Sequence, residues 1–170
     1  ENLINIYEIF EKPLIKILAQ MEINGIRLDK NFLEKLSLKF SSKIENLENK
    51  IYKISKKKFN IGSTKQLGEI MYNDLKISSL KKTKKGSFAT SATVLEDLAF
   101  KGHDLPKLVL DWRQISKLKN TYSDSLPEHL NSNTNRVHTS FLLAATSTGR
   151  LASSDPNLQN IPIKTEDGRD

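Results

Sequence analysis

Residues 31–58, NFLEKLSLKFSSKIENLENKIYKISKKK, decide the fold class. Leu33, Leu36, Phe40, Ile44, Leu47, Ile51 and Ile54 recur at steps of three and four, a period that places them on one side of a helix. At 1.5 Å per residue the predicted helix is about 40 Å long. Its apolar seam is narrow and nearly heptad, so it asks for one or two partner helices rather than burial all round. A coiled-coil dimer would cover such a seam. So would a second helix of the same chain, and Leu105 to about Leu126 supplies one, with Pro106 in its first turn and Leu108, Trp112, Ile115 and Leu118 as its stripe. That helix is long enough to run back antiparallel along 31–58. The expected class is therefore mainly α: a long antiparallel helical hairpin with a basic helical tip, plus a small β-containing α+β portion.

The tip is where the charge collects. Lys+Arg is 27 against 20 for Asp+Glu, a net charge of +7. Between Lys50 and Lys85 there are eleven lysines and two acids, Glu69 and Asp74, so this segment alone nets +9 and the rest of the chain −2. A positive field this concentrated attracts a polyanion, nucleic acid first. Lysine outnumbers arginine 22 to 5, so a lysine-rich solvated face from coding bias is the plainer alternative. Phe59-Asn60-Ile61-Gly62 breaks the long helix, and Ser63 with Gln66 makes a capping-box pattern for a helix ending near Tyr72–Leu75. Beyond it Lys81, Lys82, Lys84 and Lys85 surround Thr83, and Gly86-Ser87-Phe88-Ala89-Thr90 follows. Small residues and hydroxyls among lysines let a backbone approach phosphates, and they equally make a plain loop.

Outward from this core, residues 3–21 read as a helix that Pro13 should kink or split. Asn24-Gly25 is a turn signal, Ile26-Arg27-Leu28 a short extended piece, and Asp29 a cap for the long helix. Thr90 or Ser91 caps a short helix over 94–100, closed by Gly102-His103-Asp104. Asn131 to Asn135 is a turn cluster, and Arg136 to Phe141 alternates like a strand. Irregular backbone with short strands is expected after that.

The chain has 170 residues, 37% of them hydrophobic and 28% charged, enough apolar content for a core and against wholesale disorder. It has no cysteine, which excludes disulfides, thiolate zinc sites and a cysteine nucleophile. No apolar run nears the roughly 20 residues of a membrane span. The opening ENLINIYEIF has no basic stretch and no cleavage pattern, so a cytoplasmic protein is expected. No P-loop, HExxH or GxSxG occurs, no internal repeat is visible, and His103, His129 and His138 lack metal-ligand spacing.

One long motif remains: Thr148-Gly149-Arg150-Leu151-Ala152-Ser153-Ser154-Asp155-Pro156-Asn157-Leu158-Gln159-Asn160-Ile161-Pro162. It closely resembles the TGRLSSxDPNLQNIP motif of family A DNA polymerases, the bacterial DNA polymerase I group. The likeness extends over essentially the whole chain. Met21 to Ile26 resembles the family's MExxGI, Phe59-Asn60-Ile61 with Ser63, Lys65, Gln66 and Leu67 its FNIxSxKQL, and Lys82-Thr83-Lys84 with Gly86 its KTxTG. Arg113, Lys117, Leu118, Lys119, Thr121 and Tyr122 resemble its YRxLxKLxxTY, and Arg136 to Thr139 its GRVHT. Departures are modest: Lys85 for Thr, Ala89 for Ser, Trp112 for Tyr, Ala152 for Ser and Lys164 for Arg.

The resemblance implies a thumb subdomain over 29–130 with its DNA-binding tip at about 56–92. Residues 1–28 would be a palm-side helix and the approach to the thumb, and 131–170 the incomplete start of an α+β palm, whose sheet partners the resemblance puts past Asp170, leaving this part poorly ordered alone. It implies primer–template duplex DNA as partner, with deoxynucleoside triphosphates and magnesium (Mg) belonging to the full-length enzyme. That enzyme is expected to be a monomer in the bacterial cytoplasm, near the nucleoid, with no membrane partner. The catalytic aspartates and the nucleotide-binding fingers are expected outside these 170 residues. Arg150 is implied to meet the minor groove at the primer terminus. The chemistry suits it: purine N3 and pyrimidine O2 accept in every Watson–Crick pair, and a guanidinium only donates. Asn157, Gln159 and Asn160 are implied to touch DNA or brace that site. Lys65, Lys82, Lys84 and Lys85 would neutralise phosphates, with Lys57 a further candidate. Asn60, Ser63, Thr83, Ser87 and Thr90 would add neutral phosphate contacts, and Arg113 and Lys117 lie near the duplex.

Two-metal phosphoryl transfer needs carboxylates converging on ions about 4 Å apart. Asp104 and Asp111, two turns apart on a helix, and the adjacent Glu166 and Asp167 read instead as caps and solvated charges. The chain alone is expected to be inactive in nucleotide addition. A stand-alone helical nucleic-acid-binding module and a coiled-coil interaction protein remain the alternatives, and neither needs the 148–162 motif.

Overall fold

A computed structural model describes residues 2–77 and 88–161. The chain forms two compact units, residues 1–36 with 120–170, and residues 37–119.

The second unit is helical. Helix α3 (Lys30–Ser55) begins in the first unit and belongs to the second from Ser37 on; it starts as expected, with Asp29 Oδ1 accepting from the Phe32 amide at 3.0 Å. It stops three residues short of the predicted Lys58. Lys56 takes a φ of 55°, which a right-handed helix cannot contain, and Ser55 Oγ turns back to donate to the Lys57 carbonyl at 2.7 Å. Helix α4 (Thr64–Glu69) begins at Ser63, whose hydroxyl accepts from the Gln66 amide. The other half of the expected capping box is displaced. Gln66 Oε1 accepts from the Asn60 amide at 2.8 Å rather than from Ser63, whose amide goes to the Asn60 carbonyl at 3.0 Å. Helix α4 runs on through a wide π turn, Ile70–Asp74.

Helix α5 (Ala92–Phe100) follows Ser91 and is closed by Gly102 at φ 88°. Helix α6 (Asp104–Leu118) carries Pro106 in its first turn, where a missing amide costs nothing. The predicted run to Leu126 is broken into a π turn, Lys119–Asp124, and a 3₁₀ turn, Leu126–His129. Pro127 has no amide to continue the α ladder.

The core of this unit gathers Ile51, Leu67, Met71, Leu95, Leu105 and Val109. Ile115 and Leu118 of the expected α6 stripe are buried, and its first half differs. Leu105 and Val109 are buried, while Leu108 and Trp112 pack at the core's edge. Trp112 stays half-buried because its indole N–H donates to Glu48 Oε1 of α3 at 3.0 Å. Ile51 and Ile54 of the α3 seam share this core with α6, so the C-terminal end of the seam is covered within the chain.

In the first unit, α1 (Asn2–Ile6), a π turn (Tyr7–Glu11) and α2 (Lys12–Asn24) follow one helical path. Pro13 does not split it. The Lys12 amide reaches the Tyr7 carbonyl, five residues back, and this widened turn makes room for the proline ring. Leu3, Ile4, Ile9, Phe10, Ile17 and Ile23 are exposed along this path, and Leu18 is buried.

Strand β1 (Ile26–Arg27) pairs antiparallel with β3 (Arg136–Val137), which also pairs antiparallel with β2 (Leu130–Asn131). The register sets Val137 opposite both Ile26 and Leu130. Strands β4 (Ser140–Leu142) and β5 (Ala152–Ser154) form a separate antiparallel ribbon, Phe141 opposite Ser153. This corrects one expectation. The alternating run 136–141 is two strands, and each has a partner inside the chain. The break falls at His138 and Thr139, whose side chains bond elsewhere. His138 Nδ1 donates to the Glu22 carbonyl at 2.8 Å, and its Nε2 lies 2.7 Å from Thr134 Oγ1.

Gly25 makes the β1–β3 approach possible. It has φ 61° and ψ −177°, a region open essentially to glycine alone. A Cβ there would sit 2.7 Å from His138 Nδ1 and 2.9 Å from the Val137 carbonyl oxygen. Gly25→Ala should therefore lower unfolding free energy by about 1–3 kcal/mol, measured by urea denaturation. Gly102→Ala should cost less, since φ there is 88° but nothing stands within 4 Å of its Cβ position. Equal losses would mean that the close approach at Gly25 carries no weight.

Candidate nucleic-acid interface

In the first unit, the turn leading into β5 presents Arg150. Gly149, at φ 71°, donates its amide to the Thr146 carbonyl at 3.2 Å. Thr146 Oγ1 then accepts from the Arg150 amide and donates to the Arg150 carbonyl, both at 2.9 Å. The backbone of Arg150 is thus held on both sides by one hydroxyl. Its guanidinium is exposed and makes no hydrogen bond or ion pair among the described residues.

Past β5 the loop is braced from within. Thr139 Oγ1 lies 3.0 Å from the Ser154 carbonyl and 2.7 Å from that of Pro156. Ser153 Oγ accepts from the Leu158 amide at 3.0 Å, and Asn157 Oδ1 from the Gln159 amide at 3.0 Å. Tyr122 donates its hydroxyl to the Asn160 carbonyl. Of the three amide side chains, Asn157 therefore spends its oxygen on the loop itself. Those of Gln159 and Asn160 are exposed, with no hydrogen-bond partner among the described residues.

In the second unit, Lys65 and Lys117 are exposed and form no ion pair among the described residues. Lys57 is partly neutralised, its Nζ 2.8 Å from Asp74 Oδ2. Asn60 and Ser63 serve the turn before α4. Asn60 Oδ1 accepts from the Gly62 amide at 2.9 Å, and Ser63 Oγ caps the helix. Thr90 is buried, and its carbonyl accepts from Arg113 Nη1 at 2.6 Å. Burial pulls the Arg113 guanidinium below the usual arginine range. Nearby, burial first and then the Glu48 carboxylate push the Tyr52 phenol upward, and its hydroxyl donates to the Phe59 carbonyl at 3.1 Å. Lys82, Thr83, Lys84, Lys85 and Ser87 lie outside the described residues, as do Pro162, Lys164, Glu166 and Asp167.

Sequence reasoning missed the braces: Thr146, Thr139, Ser153 and Tyr122. Only Thr146 had a readable sign, a hydroxyl four residues before a glycine-preceded arginine. Among the described residues no three His, Asp or Glu side chains gather to hold a metal ion. These residues do not fit a divalent ion, so no step through one is derived from them. No helix among the described residues is long and apolar enough to cross a membrane.

Comparison with known proteins gives a consistent picture. The family described as DNA polymerase family A matches residues 30–170. A DNA polymerase I of Rhizobium leguminosarum is 50% identical over 167 residues, covering 98% of this chain and 16% of that protein. A DNA polymerase I of Pseudomonas aeruginosa is 47% identical over 159 residues, covering 94% of this chain and 17% of that protein. The chain thus spans about a sixth of the length of these relatives. Among solved structures, the POL domain of Pol1 from M. smegmatis, in complex with DNA primer-template and dNTP, matches with a TM-score of 0.84 at 40% identity. The match covers 94% of this chain and 28% of that one.

Arg113 differs from the other cations in being tied to a buried carbonyl. Arg113→Ala should therefore cost about 1–3 kcal/mol of stability, read by urea denaturation. It should change the salt dependence of duplex binding by less than one phosphate's worth. A slope reduced by a full unit with stability intact would make Arg113 a phosphate ligand rather than a brace.

Proposed function

Because the chain belongs to DNA polymerase family A, we propose that it is the part of a DNA polymerase I that grips primer–template duplex without reading its sequence. In this reading residues 29–130 are the thumb, with its tip at about 56–92. Residues 1–28 lead into the thumb, and 131–170 open the palm. The activity of the whole enzyme is DNA-directed nucleotidyl transfer. Family A polymerases are metal-dependent, and we assign Mg and the deoxynucleoside triphosphate to parts of the enzyme beyond this chain. It acts as a monomer in the bacterial cytoplasm, at the nucleoid.

One observation carries this reading. The Arg150 guanidinium stands exposed and unpartnered among the described residues, while the Arg150 amide and carbonyl are both bonded to the Thr146 hydroxyl. An unpaired donor-only cation held in this way suits acceptors that every base pair presents in the minor groove. Gln159 and Asn160 offer carboxamides on the same loop region. Lys65, Lys82, Lys84, Lys85 and Lys117 act on phosphates, where charge matters and base identity does not.

Binding of the full chain to duplex DNA at several salt concentrations tests the division of labour. With four to six lysines engaged, log K against log salt should fall with a slope of roughly −4 to −5. Replacing Lys82, Lys84 and Lys85 together by alanine should flatten the slope by about 2–3. Arg150→Ala should weaken binding about 5- to 100-fold with nearly the wild-type slope. Identical slopes for wild type and the triple variant would overturn the tip assignment.

A further inference from the structure

The Thr146 hydroxyl uses its whole hydrogen-bonding capacity on one neighbourhood. It accepts from the Arg150 amide at 2.9 Å, donates to the Arg150 carbonyl at 2.9 Å and receives the Thr148 hydroxyl at 3.4 Å. A hydroxyl has one proton and two lone pairs, so these three contacts saturate it. The Thr146 carbonyl adds the Gly149 amide at 3.2 Å. Residues 146–150 therefore form a closed loop fastened through one side-chain oxygen. Nothing else among the described residues bonds the Arg150 backbone, because β5 begins only at Ala152.

A free loop with Gly149 at its crest would let Arg150 sample many directions. We propose that Thr146 is the positioning residue for Arg150: its hydroxyl fixes the backbone from which the guanidinium projects, so that the arginine is aimed before DNA arrives. This rests on the reading of Arg150 as the minor-groove contact. Thr146 itself touches no nucleotide in this proposal. Its effect is to remove an ordering cost from the binding step. Threonine suits the role, because its branched Cβ limits χ1 and holds the oxygen over the turn.

The test uses the full chain with Thr146→Val, Thr146→Ser, Arg150→Ala and the Thr146→Val/Arg150→Ala double variant. Valine keeps the shape and deletes the hydroxyl, and serine keeps the hydroxyl. Amide exchange at residue 150 reads the clamp without DNA. It should be slow in wild type and Thr146→Ser, and fast in Thr146→Val. Duplex affinity reads the consequence. Thr146→Val should bind about 3- to 10-fold more weakly, Thr146→Ser should recover most of that, and the double variant should bind no worse than Arg150→Ala alone. Both valine variants should melt within about 3 °C of their parents, since the bonds lost are exposed to water.

Unchanged exchange at residue 150 in Thr146→Val would overturn the clamp. Losses that multiply in the double variant would overturn the positioning role, since Thr146 would then act apart from Arg150. If Arg150→Ala binds duplex like wild type while Thr146→Val still frees the residue 150 amide, the minor-groove reading falls and the clamp stands as a structural feature only.

Discussion

The close approach of β3 to Gly25 is the constraint on which the first unit depends. Residues 25 and 138 are far apart in sequence, yet the His138 ring lies where a Cβ of residue 25 would be. Once that gap is left open, α2 grips the strand region twice. Its Glu22 carbonyl takes His138 Nδ1, and its Glu22 carboxylate accepts from the Phe141 amide at 2.6 Å. The second is a charge-assisted bond to the first residues of β4, stronger than a neutral one. Arg136 adds a donor to the Gly25 carbonyl at 3.2 Å. Strand β4 then carries β5, and β5 carries the loop after Arg150. A methyl group at residue 25 would thus disturb a chain of contacts that ends at the candidate interface.

A division of labour runs through both units. Neutral polar side chains are consumed by the backbone: Asn60, Ser63, Asn157, Thr139 and Thr146 each satisfy an amide or carbonyl that a loop would otherwise leave to water. Cations are mostly spared that work. Arg150, Lys65 and Lys117 stand in solvent without partners among the described residues. An exposed charge costs little while it waits, and it remains free to displace the counterions of a polyanion. Arg136, bonded to the Gly25 carbonyl, is one exception and Arg113 is another. Its fork is drawn inward to Thr90, where a planar multi-donor group reaches a buried carbonyl that a water-filled surface would have left alone.

What was legible in the sequence follows the same physics. The α3 seam was readable because a three-and-four period sustained from Leu33 to Ile54 has one geometric meaning. The Asp29 and Ser63 caps were readable because their side chains act on amides two or three residues away. The stripe of α6 was read as Leu108, Trp112, Ile115 and Leu118; Ile115 and Leu118 are buried, but in the first half Leu105 and Val109 lie deeper than Leu108 and Trp112. Period alone does not choose between neighbouring apolar positions on one helix, and the Trp112 bond to Glu48 keeps that ring at the edge. The strand break at residues 138–139 was not legible, since it is caused by Glu22 and Pro156, partners distant in sequence. The 148–162 motif named the family and pointed to Arg150. It did not say that Asn157 spends its oxygen on the loop, because a carboxamide looks the same whether it braces or binds.

The aim of Arg150 has to come from local bonds, because packing cannot supply it. The residues around it, from Ser147 to Arg150, are exposed. A side chain on such a turn has no core neighbours to restrict its backbone, and each ordered residue costs about 1–2 kcal/mol of conformational freedom. If that cost fell at the moment of binding, it would consume much of what one minor-groove contact returns. A hydroxyl that already holds the amide and carbonyl of Arg150 moves the ordering into the folding step, where the pairing of β4 with β5 holds the following strand in place. Precision at an exposed arginine is then a matter of backbone hydrogen bonds rather than burial, and the guanidinium keeps its full complement of donors.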